Sequence, residues 1–242
     1  SFSRESSMLI SSRQGGADLK LQVLFLDIDN TLLDFDAGAE QSMKHCFQMF
    51  GLEYQPEMFS VFNEENHKLW RKIERRELNV ADLRTVRWQT VLKRLDLEAD
   101  GAAMEDEFKR CLHTSAVPVE GAVEILPYLH ERYCLCAASN GPYEQQINRL
   151  KKADMLKYFT HCFVSERMGM EKPAREFFEG CFAALPGILP EETMIIGDSL
   201  TADIAGGRKM GMRTCWYDRE KTGRSDEADV TIQNLCILKK IL

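Results

Sequence analysis

The chain has 242 residues, 44% of them hydrophobic and 29% charged, the composition of an ordinary globular protein. That length suits one large domain, or one domain with a substantial insert, and needs no disulfide or metal staple to make a core. Its formal net charge of −7 argues against a binder of nucleic-acid polymers or of anionic membranes, since both reward surplus Lys and Arg. A small phosphorylated substrate needs only local positive charge and stays compatible with it.

The first residues, rich in Ser and Gly, lack the long apolar stretch of a signal peptide, and residues 1–17 read as a flexible lead. No apolar run approaches the roughly 20 residues that span a bilayer. The 8 cysteines form no C-x-x-C pair and mostly lie in apolar stretches such as Tyr133-Cys134-Leu135-Cys136. They are expected to be buried thiols in a reducing, cytoplasmic setting.

Leu21–Leu26 is a nearly continuous apolar run that stops at Asp27-Ile28-Asp29, the pattern of a strand buried on both faces of a parallel sheet. Four later segments look alike: Tyr133–Ala138, His161–Val164, Thr193–Ile196 and Arg213–Trp216. Helical patterns at Ala122–Glu131, Glu144–Leu156 and Glu176–Leu185 lie between them. This alternation predicts a doubly wound, Rossmann-type α/β core with a parallel sheet, over 18–35 and 119–242.

Residues 36–118 carry no strand signal. Ala39, Met43, Phe47 and Phe50 recur at helical spacing, then Phe59, Phe62, Asn66, Leu69, Trp70 and Ile73, then Leu83, Val86, Thr90, Val91 and Leu95. Breaks at Gly51–Pro56, Asn79 and Asp96–Gly101 divide the stretch into about four helices, inserted after the first strand. Phe62 and Trp70 read as the core of this insert. Asn66 shares their stripe, and a polar residue there is a candidate substrate contact. His67, Lys68 and Arg71 read as a solvated face, and Arg71, Arg75 and Arg76 as a surface basic cluster.

In an open α/β sheet, ligands bind beyond the carboxyl ends of the strands. The first strand ends in Asp27-Ile28-Asp29-Asn30-Thr31, the second in Ser139-Asn140-Gly141 and the fourth in Gly197-Asp198-Ser199, with Asp203 four residues on. Lys172 follows the third strand in Met170-Glu171-Lys172-Pro173. Any one of these aspartates could simply cap the next helix. Together, four carboxylates in one cleft repel each other and call for a cation. An oxygen-rich site with one lysine suits Mg²⁺ with phosphate oxygens.

These four segments, in this order, resemble those of the haloacid dehalogenase superfamily, and the likeness covers residues 20–242. The insert is similar to that family's C1-type helical cap. The resemblance implies that Asp27 is the nucleophile that forms an aspartyl-phosphate, and that Asp29 is the general acid and then the base. Two residues apart on an extended segment, their side chains share one side. It further implies that Asp27, Asp198 and the main-chain carbonyl of Asp29 hold Mg²⁺, with Asp203 orienting the ion's water ligands. Ser139, Asn140, Gly141 and Lys172 would hold the phosphoryl oxygens, and Thr31 would brace the first loop or touch substrate. The presence of Asp29 with Asp198 and Asp203 argues for phosphate rather than halide chemistry.

Asp29-Asn30-Thr31-Leu32-Leu33-Asp34-Phe35, Asn66-His67-Lys68-Leu69-Trp70, Ser139-Asn140-Gly141, the Val164-Ser165-Glu166 to Glu171-Lys172-Pro173 stretch and Thr214-Cys215-Trp216 are similar to the bacterial pyrimidine 5′-nucleotidase subgroup. That implies nucleoside monophosphates as substrates. Asp82-Leu83-Arg84 matches a segment of the N-acylneuraminate-9-phosphatases, which keeps a sugar-phosphate phosphatase as the alternative, alongside a catalytically silent binding protein of the same fold. A phospho-accepting receiver module shares the charges but lacks the helical insert. The chain is expected as a monomer or homodimer.

Overall fold

The computed structural model describes residues 19–223 and 226–242. The N-terminal lead expected over 1–17 lies outside them. Six parallel strands run β1 (Val23–Leu26), β2 (Cys134–Ser139), β3 (His161–Val164), β4 (Thr193–Gly197), β5 (Arg213–Tyr217) and β6 (Val230–Ile232), in the spatial order β3-β2-β1-β4-β5-β6. Five were expected. The sixth, β6, spans only 3 residues, Val230-Thr231-Ile232, too short to give a periodic signal.

β1 is buried along its length and alternates its side chains between two cores. Leu24 and Leu26 enter one core with Ala122, Ile125 and Leu126 of α5 (Ala122–His130) and Leu150 of α6 (Tyr143–Lys152). Val23 and Phe25 enter the other with Phe177, Phe178 and Cys181 of α8 (Arg175–Ala183). At about 1.5–3 kcal/mol for each large apolar side chain removed from water, these two layers hold the sheet flat against its helices. The chain order changes direction at β1, so the carboxyl ends of β1, β2 and β4 open a crevice.

The helical insert leaves after β1 and returns before α5. It comprises α1 (Phe35–Met49), α2 (Met58–Glu74), α3 (Leu83–Arg94) and α4 (Gly101–Leu112). Asp34 caps α1 by accepting from the N–H of Ala37 at 2.9 Å, and Asp100 caps α4 from Ala103 at 3.0 Å. Its own core packs Phe47, Phe62, Trp88 and Phe108, with Phe62, Trp88 and Phe108 each 5.2 Å from the others. Phe62 is core, as its spacing suggests.

The outgoing and returning linkers run side by side. The N–H of Asp34 donates to the Val117 carbonyl at 2.7 Å, and that of Val119 to Leu32 at 2.9 Å. Short helices α7 (Ser165–Met168), α9 (Ala205–Met210) and α10 (Leu238–Ile241) complete the fold. No helix among the described residues is long and apolar enough to cross a membrane.

Candidate active site

A cavity of about 190 Å³ lies between the strand ends and the helical insert. Its floor contains Asp27, Asp29, Asn140, Gly141, Lys172, Asp198 and Asp203, and its wall contains Asn66, His67, Trp70, Leu83 and Arg87. Topology brings most of the floor together, because β1, β2 and β4 are neighbours and Asp27, Asn140 and Asp198 each follow directly on one of them, while Lys172 arrives from the loop beyond β3 and α7.

Lys172 is buried at the centre of the floor, and its ammonium spends all three donors. It reaches Asp27 Oδ1 at 3.0 Å, Asp203 Oδ1 at 2.6 Å and the Ala138 carbonyl at 2.6 Å. Burial alone would lower its pKa, but the charges of Asp203 and Asp27 outweigh that and hold it above the ordinary lysine value. The Asn140 side chain clamps the Lys172 main chain from both sides, donating to its carbonyl at 3.0 Å and accepting from its N–H at 2.8 Å. Asn140 therefore holds the lysine loop with both ends of its amide.

Asp203 is fully buried. Its Oδ1 is taken by Lys172, and its Oδ2 accepts from the N–H of Ser199 at 3.1 Å. Gly197 makes room for it: a Cβ there would stand 2.1 Å from Asp203 Oδ2. Burial, then the charge of Asp27, pushes the Asp203 carboxyl up to about 7 against the pull of Lys172. Burial and the same neighbours, Asp27 and Asp203, also raise Asp198 well above a normal carboxyl.

Thr31 is fully buried. Its hydroxyl lies 3.2 Å from Asp27 Oδ2 and accepts from the N–H of Asp198 at 3.1 Å. It thus ties the first loop to the fourth from beneath the floor, outside the cavity lining. Ser139 also lies beneath the floor, its hydroxyl accepting from Gln146 Nε2 at 2.7 Å. The N–H of Gly141 is taken by Ser165 Oγ at 2.9 Å. By contrast, the N–H groups of Ile28 and Asp29 have no acceptor among the described residues, which leaves them free to meet an anion.

Asp27 and Asp29 both face the cavity, but their carboxylates take different partners. Asp29 Oδ1 accepts from Arg149 Nη1 at 2.5 Å and Oδ2 from Gln146 Nε2 at 2.9 Å. Neither Arg149 nor Gln146 was singled out in the sequence. Both sit on the buried face of α6 with Leu150, and a polar pair on an apolar stripe is the signal that could have found them.

Carboxylate oxygens of Asp27, Asp198 and Asp203 lie within 4.8 Å of one another. Three acids against one ammonium leave negative charge uncompensated, and a hard divalent cation is the chemistry such a donor set fits. Asp203 is fully buried and held by an ammonium and a main-chain N–H. Asp27 and Asp198 follow directly on β1 and β4 and are more open to the cavity, which makes them the side chains placed to ligate. The Asp29 carboxylate is outside this cluster, so only its main-chain carbonyl fits the ligand role expected of it.

In the wall, Arg87 of α3 forms a buried fork with Glu105 of α4, at 2.5 and 3.0 Å, and its Nη1 donates to Asn66 Oδ1 at 3.2 Å. Arginine has no acceptor, so the oxygen of Asn66 must face it. The Nδ2 of Asn66 turns the other way and has no partner among the described residues. Asn66, the candidate substrate contact, lines the cavity. Trp70, read as core of the insert, packs against Leu69, Ile73 and Leu83 but is half-buried and lines the cavity as well. His67 is exposed, yet at the cavity's rim. Of Asp82-Leu83-Arg84, only Leu83 lines the cavity, and Arg84 pairs with Asp106 on the exposed surface. Arg71, Arg75 and Arg76 are exposed, with Arg75 paired to Glu77 and Arg76 to Glu176.

A parallel α/β sheet whose central strand ends in an aspartate, under an inserted helical bundle, defines a class of hydrolases that work from the strand ends. The family model for haloacid dehalogenase-like hydrolases matches residues 23–217, and the chain belongs to that family. It is 33% identical to the HAD-hydrolase YfnB of Bacillus subtilis over 199 residues, 82% of this chain and 85% of YfnB. It is 31% identical to the pyrimidine 5′-nucleotidase PynA of Streptococcus pneumoniae, covering 87% of this chain and 89% of PynA. A crystal structure of Bacillus subtilis YfnB bound to magnesium superposes with a TM-score of 0.86 at 32% identity, covering 92% of this chain and 99% of that one.

Proposed function

We propose that the protein is a Mg²⁺-dependent phosphomonoesterase of the reducing cytoplasm, working through an aspartyl-phosphate and preferring pyrimidine nucleoside 5′-monophosphates. The observation that carries the reading is Asp27. It lines the cavity floor, with the Lys172 ammonium on one carboxylate oxygen and the Thr31 hydroxyl on the other. Asp27 attacks phosphorus, and the ester oxygen leaves with a proton from Asp29. Asp29 then takes a proton from the water that hydrolyses the aspartyl-phosphate. Lys172 and the N–H groups of Ile28 and Asp29 balance charge on the transferring oxygens. Asp27, Asp198 and the Asp29 carbonyl would hold Mg²⁺, which supplies further neutralisation of phosphate charge.

The substrate class is supported by PynA, which is named as a pyrimidine 5′-nucleotidase, and the metal by the related YfnB structure, which is bound to magnesium. In this chain, Trp70 offers a flat apolar surface and Asn66 Nδ2 a fixed donor, a pair suited to a planar base that presents carbonyl oxygens.

The test is phosphate release from a panel of nucleoside monophosphates and sugar phosphates, with Mg²⁺ and with EDTA. Selective, EDTA-sensitive turnover of UMP and dTMP is the expected result. Turnover of sugar phosphates alone would keep the chemistry and discard the substrate class. Metal-independent turnover would remove the ligand roles of Asp27 and Asp198.

A further inference from the structure

Arg149 is the largest charged side chain buried in the core domain, and its partners are unusual for a structural arginine. Its Nε donates to the Ser115 carbonyl at 2.9 Å, on the linker that returns from the helical insert. Its Nη1 donates to Asp29 Oδ1 at 2.5 Å and to Gln146 Oε1 at 2.9 Å. Its Nη2 is buried with no partner among the described residues. The guanidinium is therefore oriented by the linker and the cavity carboxylate, not by the satisfaction of all its own donors.

We propose that Arg149 is a positioning residue that ties the Asp29 carboxylate to the returning linker, so that the reach of Asp29 toward the Asp27 centre follows the position of the helical insert.

This rests on the acid–base role given to Asp29 above. The guanidinium is planar and its donors are set in a rigid fork, so a shift of the Ser115 carbonyl displaces Nη1 as well as Nε. The linker is itself registered to the insert: a Cβ on Gly38, in the first turns of α1, would stand 2.0 Å from Ser115 Oγ. A second tie comes from α6, the helix of Arg149, where Asn148 Nδ2 donates to the His113 carbonyl at 2.7 Å. On the other side, Gln146 Nε2 bridges Asp29 Oδ2 at 2.9 Å and Ser139 Oγ at 2.7 Å, anchoring the carboxylate to the end of β2. Asp29 is thus held between a fixed strand end and a linker that belongs to the insert. A lysine at 149 could keep the charge and most of the volume. Its single ammonium could not span both the linker carbonyl and Asp29.

The experiment compares two substrates in the Mg²⁺-loaded enzyme. UMP needs its leaving oxygen protonated, and p-nitrophenyl phosphate does not. Arg149→Met is expected to lower kcat on UMP roughly 10–100-fold, the scale of a misplaced catalytic group, with KM changed less than about 3-fold. On p-nitrophenyl phosphate kcat/KM, which reports the phosphorylation half-reaction alone, should fall less than about 3-fold; kcat also contains the hydrolysis that Asp29 assists as base and is not the discriminating quantity. Arg149→Lys, the variant that decides if the methionine chain does not fold, should show the same discrimination at near-native melting temperature. Asp29→Asn should discriminate more strongly, and Arg149→Met added to it should change the ratio less than about 2-fold, as for two residues acting as one unit. An equal fall in kcat/KM on both substrates in Arg149→Lys, or no fall, overturns the proposal while Asp29→Asn still discriminates on kcat/KM. If Asp29→Asn fails to discriminate, the acid–base reading itself falls, and the proposal with it.

Discussion

The floor and the wall of the cavity are built by different rules. The floor residues lie at strand ends or on the loops that follow them, and their partners come from other loops or from α6: Asp27 and Asp203 are held by Lys172, Asp198 through its N–H by Thr31, and Asp29 by Gln146 and Arg149. The wall is built from the sides of α2, α3 and α4. Its polar groups, Arg87, Glu105 and Asn66, sit among apolar neighbours and satisfy each other across three helices. A sheet places its ends by topology, whereas a helix bundle presents a face only once its packing is settled. Chemistry on the floor and selection at the wall can therefore change independently.

The sharpest way to break this division is on the floor. Asp27→Asn keeps the volume and removes the nucleophile, and turnover should fall by at least about 10⁴-fold while the circular dichroism spectrum stays native. Activity close to wild type would mean that another group attacks phosphorus.

In the wall the largest effect should be on stability. Arg87→Met strands the Glu105 carboxylate, which is completely buried, and breaking a buried pair from one side costs about 3–5 kcal/mol. Urea denaturation should show that loss, and Arg87→Met with Glu105→Leu should recover most of it, since well-packed apolar replacements of both partners are often neutral. A single variant as stable as wild type would show that Glu105 finds water or another donor. Asn66→Asp is finer still. It keeps an oxygen for Arg87 and removes the Nδ2 donor, so KM for UMP should rise about 10-fold, the worth of one good hydrogen bond. KM for ribose 5-phosphate should move far less. Equal changes for both would assign the effect to added charge instead of lost base recognition.

The difference between the two regions also decides how much could be read from the sequence. Asp27 and Asp198 were legible because an apolar run that stops abruptly at a charged residue marks a strand end, and parallel strands share one open edge; Asp29 and Asp203 follow them at short spacing, and Lys172 lies on the stretch that follows the third strand. The sheet of α/β type and its helical insert were legible for the same reason, period 2 or unbroken runs giving way to period 3.6. Arg87 and Glu105 were hidden. Each lies on a stripe with Leu83, Trp88 and Val91, or with Met104, Phe108 and Leu112, but their pairing crosses two helices, and no spacing within one helix encodes that. Trp70 was read by one face of α2 when the indole serves two, packing on one side and cavity on the other. Asn140 and Gly141 stand where a strand-end reading puts them, yet their hydrogen bonds go to Lys172 and Ser165, which only the folded loops reveal.

The gentlest probe lies where the wall meets the floor, at Glu74. It ends α2, is half-buried and lines the cavity. Burial raises its pKa above 4.5, against the lowering pull of the Thr201 hydroxyl and of Arg71 and Lys172. A folded carboxyl with a raised pKa binds its proton more tightly than the unfolded chain does. Its contribution to stability is therefore complete below the unfolded value and is lost as pH rises through the folded one. Glu74→Gln carries no such titration, so its melting temperature relative to wild type should climb between pH 4 and pH 8, by a small margin because the site is partly open to water. A difference that stays flat across that range would mean that the carboxylate is as well solvated at the rim of the cavity as in the unfolded chain. The wall and the floor would then meet across water instead of across a dry contact.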